Sequence, residues 1–526
     1  MASKPKPFIF GSEVDVLLTR IEESTRSNQE AVRYFVEPAQ GVLQRALSKR
    51  HHIMFGRRGS GKSSLLGKTY AEQLVQRRPC AMVDLEEFKG HSYPDVLVSV
   101  LIKSFYEFKR WVDAAATAPT NKRSFWNIFT ANKPASPKLT KEQAQLLSAR
   151  LQKEIAGLEA VLHGPDEANI EETRNATRSG SAKLAGSTEV GLDGAKATIS
   201  GEYSEADEVS RGTKSAYASK KTETLHRNIM QYKAMFRDIA AASGGDAFLL
   251  LDDLYHIRSS DQADVLDYFH RIAKGGNLWL KVGTIRHRSR WYIAGDPPTG
   301  MKLGDDIDEI DLDVTLEKYQ TSKSFLLEVL EEFATEAEVS LPSILTEGAR
   351  DRLVLSSGGV ARDFLGLFRR AVAETRERIL NKELARGEKV GSEDVNRAAG
   401  SYYENKAEEL NLDTDEQSRR EVLSYIDSVK AFCIDKSGCN CLLVEKDIDA
   451  ETRNMIGELV DLKFIHHVKS RVTVRGRDKK VFDAFMLDFS FYTGERTRRG
   501  FETIEFWKPA NAEALRKANL IYREAA

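Results

Sequence analysis

The stretch Gly56-Arg57-Arg58-Gly59-Ser60-Gly61-Lys62-Ser63 fits the pattern G-x-x-x-x-G-K-[ST], with the apolar run Ile53, Met54 and Phe55 before it and Ser64, Leu65 and Leu66 after it. An apolar run leading through glycines into a helical pattern fixes the local fold: a buried strand, a tight loop and a helix, the opening of an α/β layer. Gly56, Gly59 and Gly61 allow positive φ, so successive backbone N–H groups can point into one concavity. Lys62 adds a point charge and the N-terminus of the following helix adds its dipole. Such a concavity suits phosphate oxygens. The expected binding set is Gly56, Arg57, Arg58, Gly59, Ser60, Gly61, Lys62, Ser63 and Ser64, with ATP and Mg2+ as the ligands and the Ser63 hydroxyl on the metal.

A phosphate loop of this kind needs a second strand that ends in acid. Asp246-Ala247-Phe248-Leu249-Leu250-Leu251-Asp252-Asp253 is a continuous apolar run with two carboxylates at its end, the pattern of a strand buried on both faces. Asp252 is the expected second magnesium ligand. Asp253 is placed to orient or deprotonate an attacking water. Strand patterns at Cys80–Leu85 and Leu278–Thr284 alternate with helical ones, including 94–111, which predicts a doubly wound parallel sheet.

Charge and cysteine content narrow the function. Lys plus Arg total 78 against 79 Asp plus Glu, a net charge of -1, so the chain is no polycation and any nucleic-acid contact must be local. Cys80, Cys433, Cys439 and Cys441 have neither the number for a disulfide scaffold nor the spacing of a zinc module. The apolar runs fall short of the ~18 residues of a membrane-spanning helix, and the first ten residues have no apolar core, so a cytoplasmic protein is expected.

The chain divides into five expected parts: 1–113, with the phosphate loop; an insertion at 114–225; 226–320, with the acidic strand; helices at 321–411; and a C-terminal domain at 412–526. The insertion carries a helical stretch at 141–162 and a period-two alternation at 183–203 broken by Asp193-Gly194, which predicts an amphipathic hairpin. That hairpin would serve assembly, by edge pairing between subunits or as part of a membrane barrel; the alternative is a hairpin packed on its own domain or a mobile loop.

Thr284 ends a strand and is followed by Arg286, Arg288 and Arg290. Ser356-Ser357-Gly358-Gly359-Val360-Ala361-Arg362 places an arginine in the first turn of a helix. In this order of parts the chain resembles the AAA+ ATPases, within them the origin-recognition and initiator-like clade and its STAND-type relatives, from about 34 to 399. Gly56–Ser63 resembles Walker A, Phe248–Asp253 Walker B, Thr284 sensor 1, and Gly358-Gly359-x-Ala361-Arg362 sensor 2. The resemblance implies an ATPase with a helical lid, adenine near Phe35-Val36-Glu37-Pro38, and Arg362 reaching the phosphates from the lid. It also implies a homo-oligomer, in which one of Arg286, Arg288 and Arg290 would act as a finger on a neighbouring subunit; the alternative is pairing with the acids at 305–313. Two departures stand out. Walker B ends Asp252-Asp253 where the family usually has Asp-Glu, one methylene shorter, which favours slow turnover. Sensor 1 is Thr284, often Asn in the family.

After 416 come helical patterns, a break at Gly438, a helix at 450–462, and two alternating runs at 464–474 and 480–489, the order of a winged helix. Lys469, Arg471, Arg475 and Arg477 form a basic strip suited to DNA phosphates. The candidate recognition helix has a mixed surface of Glu451, Arg453, Asn454 and Glu458, and DNA or a protein is an equally good partner for it. A last helix is expected in the tail. The expected activity is an ATP-driven switch coupling nucleotide state to oligomerisation and to DNA or a protein; the alternative is a STAND-type signalling or anti-phage defence ATPase that recruits a separate effector protein.

Overall fold

The computed structural model describes residues 8–26, 32–117, 139–163, 221–413, 416–477, 479–493, 501–511 and 513–522. The expected hairpin at 183–203 lies outside them. The chain is α/β. Strands β1 (His52–Phe55), β2 (Cys80–Asp84), β3 (Ala247–Asp252), β4 (Leu278–Thr284) and β7 (Asp308–Asp311) form a five-stranded sheet in the order β2-β3-β4-β1-β7, every pairing parallel. Between β4 and β7 a small hairpin pairs β5 (Tyr292–Ile293) with β6 (Thr299–Gly300). All six residues of β3 are buried, as a central strand covered on both faces requires. Register does the functional work: Asp84 pairs with Asp252, Leu251 with Val282, and Phe55 with both Thr284 and Asp311. The carboxyl ends of the strands therefore share one edge, where ligands of open α/β sheets bind.

Eight helices carry labels here: α1 (Ser12–Arg26), α2 (Lys62–Val75), α3 (Asp95–Thr117), α4 (Lys141–His163), α5 (Gln262–Ala273), α6 (Tyr319–Glu336), α7 (Ala361–Leu380) and α8 (Ala450–Asp461). The break in pattern expected at 114 is not a departure from the core. α3 continues to Thr117, and α4 and a helix at 221–241 pack with it, burying Phe105, Leu151, Ile155 and Phe236 in the cluster that contains β3. Phe105 stacks on Phe236 with ring centroids 5.0 Å apart. Helix Glu347–Ser356 stops and α7 starts after Gly358 and Gly359, at φ +58° and +85°, which puts Arg362 in the first turn of a helix. α1 lies on α6 and α7, tied by Arg20 to Glu336 (3.1 Å) and Arg376 to Asp15 (2.8 Å).

The C-terminal domain has helix Glu416–Ala431, α8, and an antiparallel sheet of β8 (Cys441–Glu445), β10 (Phe482–Leu487) and β9 (Ile465–Val472) in that order. β8 sits where the sequence pattern suggested only a break. The expected last helix is absent among the described residues; three 3-10 turns lie between Pro509 and Leu520, and Tyr522 N–H bonds to Leu443 O at 2.8 Å, so the tail closes against β8. One hydrophobic cluster runs from α1 through the helices of 319–413 into this domain. Among the described residues no helix is long and apolar enough to cross a membrane.

Candidate nucleotide site

The glycine loop adopts the backbone its composition permits. Gly59 (φ +86°) and Gly61 (φ +98°) occupy the left-handed region, and α2 begins at the next residue, Lys62. The Lys62 ammonium is buried and donates to Gly56 O at 2.9 Å and Arg57 O at 3.3 Å. Burial pulls its pKa down, opposed by the charges of Asp253, Asp252 and Asp313. Asp252 is nearly sealed, and burial first, then the neighbouring Asp253, raises its pKa; a hydrogen bond from Ser63 acts the other way. Ser63 and Asp252, expected as metal ligands from distant parts of the chain, are thus in contact. Two oxygen donors side by side at a phosphate cradle fit magnesium, whose remaining positions water and phosphate oxygens fill. Gly283 makes the contact sterically feasible: a Cβ there would stand 2.6 Å from Asp252 Oδ1. Asp253 has φ +54°, a strained position for a residue with a side chain, and its N–H donates to Asp252 Oδ1 at 2.9 Å.

Lys62, Ser63 and Asp253 face a cavity of about 440 Å3, and Asp252 is buried behind its lining. Its polar lining comes from Arg58–Ser64, Asp84, Glu86, Asp253, His256 and Arg362; its apolar lining from 34–38, α6 and α7, including Tyr34, Phe35, Val36, Pro38, Phe325, Val329 and Phe333. Tyr34 stacks on Phe333 at 4.0 Å and donates its hydroxyl to Glu336 at 2.5 Å, which fixes one wall. A polar cradle joined to an aromatic and aliphatic slot has the two chemistries of a nucleotide.

Not every expected residue lines the cavity. Gly56 lies behind the loop, against Ser60. The Arg57 side chain turns away: Nε is 3.2 Å from Asp313 Oδ1, and one terminal nitrogen donates to Gly358 O at 3.1 Å and Val314 O at 3.3 Å. It braces the loop rather than facing the cleft. Arg362 faces the cleft, and its N–H donates to Gly59 O at 3.2 Å, so α7 starts directly on the phosphate loop. Thr284 is buried outside the lining, with its hydroxyl against Ser289. Arg286 pairs with Glu309 at 3.1 Å and lies 3.9 Å over the Phe55 ring, which is the in-chain pairing with the acids of 305–313; Arg288 meets Glu458 of α8 at 3.6 Å, and Arg290 is exposed.

Asp84, His256 and Tyr34 line the cleft without having been expected there. Asp84 was legible: it ends an apolar run as Asp252 does. Burial lowers the His256 pKa and so favours the neutral imidazole beside Asp253. In the C-terminal domain, Arg471, Arg475 and Arg477 are exposed, while Lys469 is half-buried in a groove with Trp507. α8 does not face solvent throughout: a Cβ on Gly457 would meet the His287 ring at 2.9 Å.

No family model matches the chain, and no curated protein matches it. Among solved structures, the Aeropyrum pernix ORC1 protein in complex with DNA aligns over 87% of this chain and 91% of that one, at 14% identity and a TM-score of 0.34. A superposition that loose leaves the class to be defined by the molecule itself: an α/β protein whose glycine-rich loop and acidic strand meet at the carboxyl edge of a parallel sheet.

Proposed function

We propose that the chain is an ATPase of the AAA+ kind, a slow nucleotide switch. The observation that carries the reading is the convergence of Lys62, Ser63, Asp253 and Arg362 on one cavity that also has an apolar slot, with Asp252 behind Ser63. The triphosphate lies in the cradle of 58–64 and the base against Phe35, Val36 and Phe333. Magnesium, held by Ser63 and Asp252, would neutralise phosphate charge. Asp253 orients water and takes its proton as the new oxygen–phosphorus bond forms and the bond to the bridging oxygen breaks. An aspartate there reaches less far than a glutamate would, hence the slow turnover. Arg362, bound by its backbone to the loop, couples phosphate occupancy to the helices of 319–413. Subunits assemble with Arg290 as the exposed finger candidate, and the strip of Arg471, Arg475 and Arg477 contacts DNA phosphates. Asp253→Asn tests the chemistry: ATP still binds and turnover falls by about 100-fold or more; unchanged turnover rejects the assignment.

One observation favours a protein partner instead of DNA. Helix α8, which would read bases in a DNA-binding winged helix, packs Glu458 and Gly457 on 286–288 of the core. In that reading the domain is a signalling element, as in STAND-type defence ATPases, and the partner is a separate effector.

A further inference from the structure

We infer that Lys463, just beyond α8 in the C-terminal domain, is a positioning residue for Arg362: its buried ion pair with Asp363 holds the first turn of α7 against the phosphate loop. The inference rests on the nucleotide-site reading and deepens it, because a residue of another domain sets how well the site tells ATP from ADP. The Lys463 Nζ lies 3.1 Å from Asp363 Oδ2 and donates to Oδ1 at 3.2 Å, with both side chains 2% exposed. The Tyr402 hydroxyl donates to the same Oδ1 at 3.1 Å. Asp363 follows Arg362 directly in the chain, and neither Asp363 nor Lys463 lines the cleft. Towards the loop, the Arg362 N–H donates to Gly59 O at 3.2 Å, and a Cβ on Gly59 would stand 2.7 Å from the Arg362 Cβ. The first turn of α7 is therefore gripped by the phosphate loop and by the C-terminal domain.

Two features separate this pair from ordinary packing. Lys463 has φ +64°, in the position beyond a helix end where glycine is usual. Its N–H bonds to Val460 O at 3.0 Å and that of Phe464 to Leu459 O at 2.9 Å, which closes α8 in a left-handed turn. A glycine would make that turn without strain, so the lysine points to a need for what its side chain reaches. The second feature is the pair itself. Desolvating two charges offsets their attraction, and an apolar pair of similar volume stabilises as well; what the ion pair adds is one defined geometry. A neighbouring contact fixes the same segment: His466, 2.7 Å from Asp488, lies so close to Gly358 that a Cβ there would overlap its ring at 2.0 Å. Residues 463 and 466 thus hold the chain at 363 and 358, on either side of Arg362. A guanidinium in the cleft gains most from the nucleotide with the extra terminal charge, so its placement changes affinity for ATP more than for ADP.

The test uses the intact chain: calorimetric affinities for ATP and for ADP, each with Mg2+, and a thermal melt. The proteins are wild type, Lys463→Gly with Asp363→Asn, Arg362→Ala, and all three substitutions together. Glycine suits the left-handed backbone, and asparagine keeps an acceptor for Tyr402 without leaving an unpaired buried charge. Expected in the double variant is a fall of about 10-fold in the preference for ATP over ADP, with ADP affinity unchanged. A general loss of stability would weaken both nucleotides alike. In the Arg362→Ala background the other two substitutions have no further effect. Tyr402→Phe removes one donor from the same carboxylate, should lower the preference by about 3-fold, and carries the test if the double variant does not fold. Wild-type preference in the folded double variant, or in Tyr402→Phe where the double variant does not fold, overturns the inference alone, as do losses that add to that of Arg362→Ala. Arg362→Ala with unchanged preference, or wild type that takes up neither nucleotide, overturns the nucleotide-site reading and this inference with it.

Discussion

The chain holds two groups of cations built on opposite plans. Around the phosphate loop, Arg57 and Lys62 are 3% and 5% exposed and held by carbonyls and by Asp313 before any ligand arrives. On the β9–β10 hairpin, Arg471, Arg475 and Arg477 stand exposed at the end of an otherwise anchored sheet. Ordering a long side chain costs entropy on binding, and the loop meets that cost during folding, so its geometry can select one small anion. The hairpin's arginines are screened by salt and adapt to any spaced row of phosphates. Under the proposed function the difference separates two roles: the loop's fixed donors suit one small phosphate group, and the hairpin's exposed arginines suit a repeating polyanion without sequence preference.

Three sets of substitutions press on that contrast, in order of expected effect. Lys463→Met leaves Asp363 buried without its cation and should cost about 3–5 kcal/mol in chemical denaturation; Lys463→Met combined with Asp363→Leu should recover most of it. A loss below 1 kcal/mol would mean that buried charge does not lock the two domains. Gly59→Ala puts a Cβ at φ +86° and 2.7 Å from the Arg362 Cβ; a strain of about 1–3 kcal/mol should lower the melting temperature and weaken ATP binding together. Unchanged ATP affinity would separate the loop from α7. Replacing Arg471, Arg475 and Arg477 by Gln should leave folding and ATP affinity within error. It should reduce the slope of log affinity for duplex DNA against log salt by about 2 to 3, and an unchanged slope removes the hairpin from any DNA contact.

What could be read in the sequence was what lies close together along it. Gly56 to Ser63 is one uninterrupted motif, and Ala247–Asp252 is apolar because both faces are covered. β7 was not legible, because in Asp308-Glu309-Ile310-Asp311 only Ile310 is buried and an acidic edge strand looks like a solvated loop. β8 was missed because a short apolar run after a glycine break carries no period. The brace of Arg57 and the pair Lys463–Asp363 were hidden for another reason. Charged residues in a loop, a turn and the first turn of a helix read as solvated, and only the meeting of segments 256 residues apart for Arg57 and Asp313, and 100 apart for Lys463 and Asp363, shows them buried.

The central claim is that this loop binds ATP. Calorimetric titration of the intact protein with ATP and Mg2+, for wild type and Lys62→Ala, tests it most directly. One saturable site is expected in wild type, with a loss of about 100-fold or more when the ammonium is removed. Equal binding by the two proteins, or none by wild type, would contradict it.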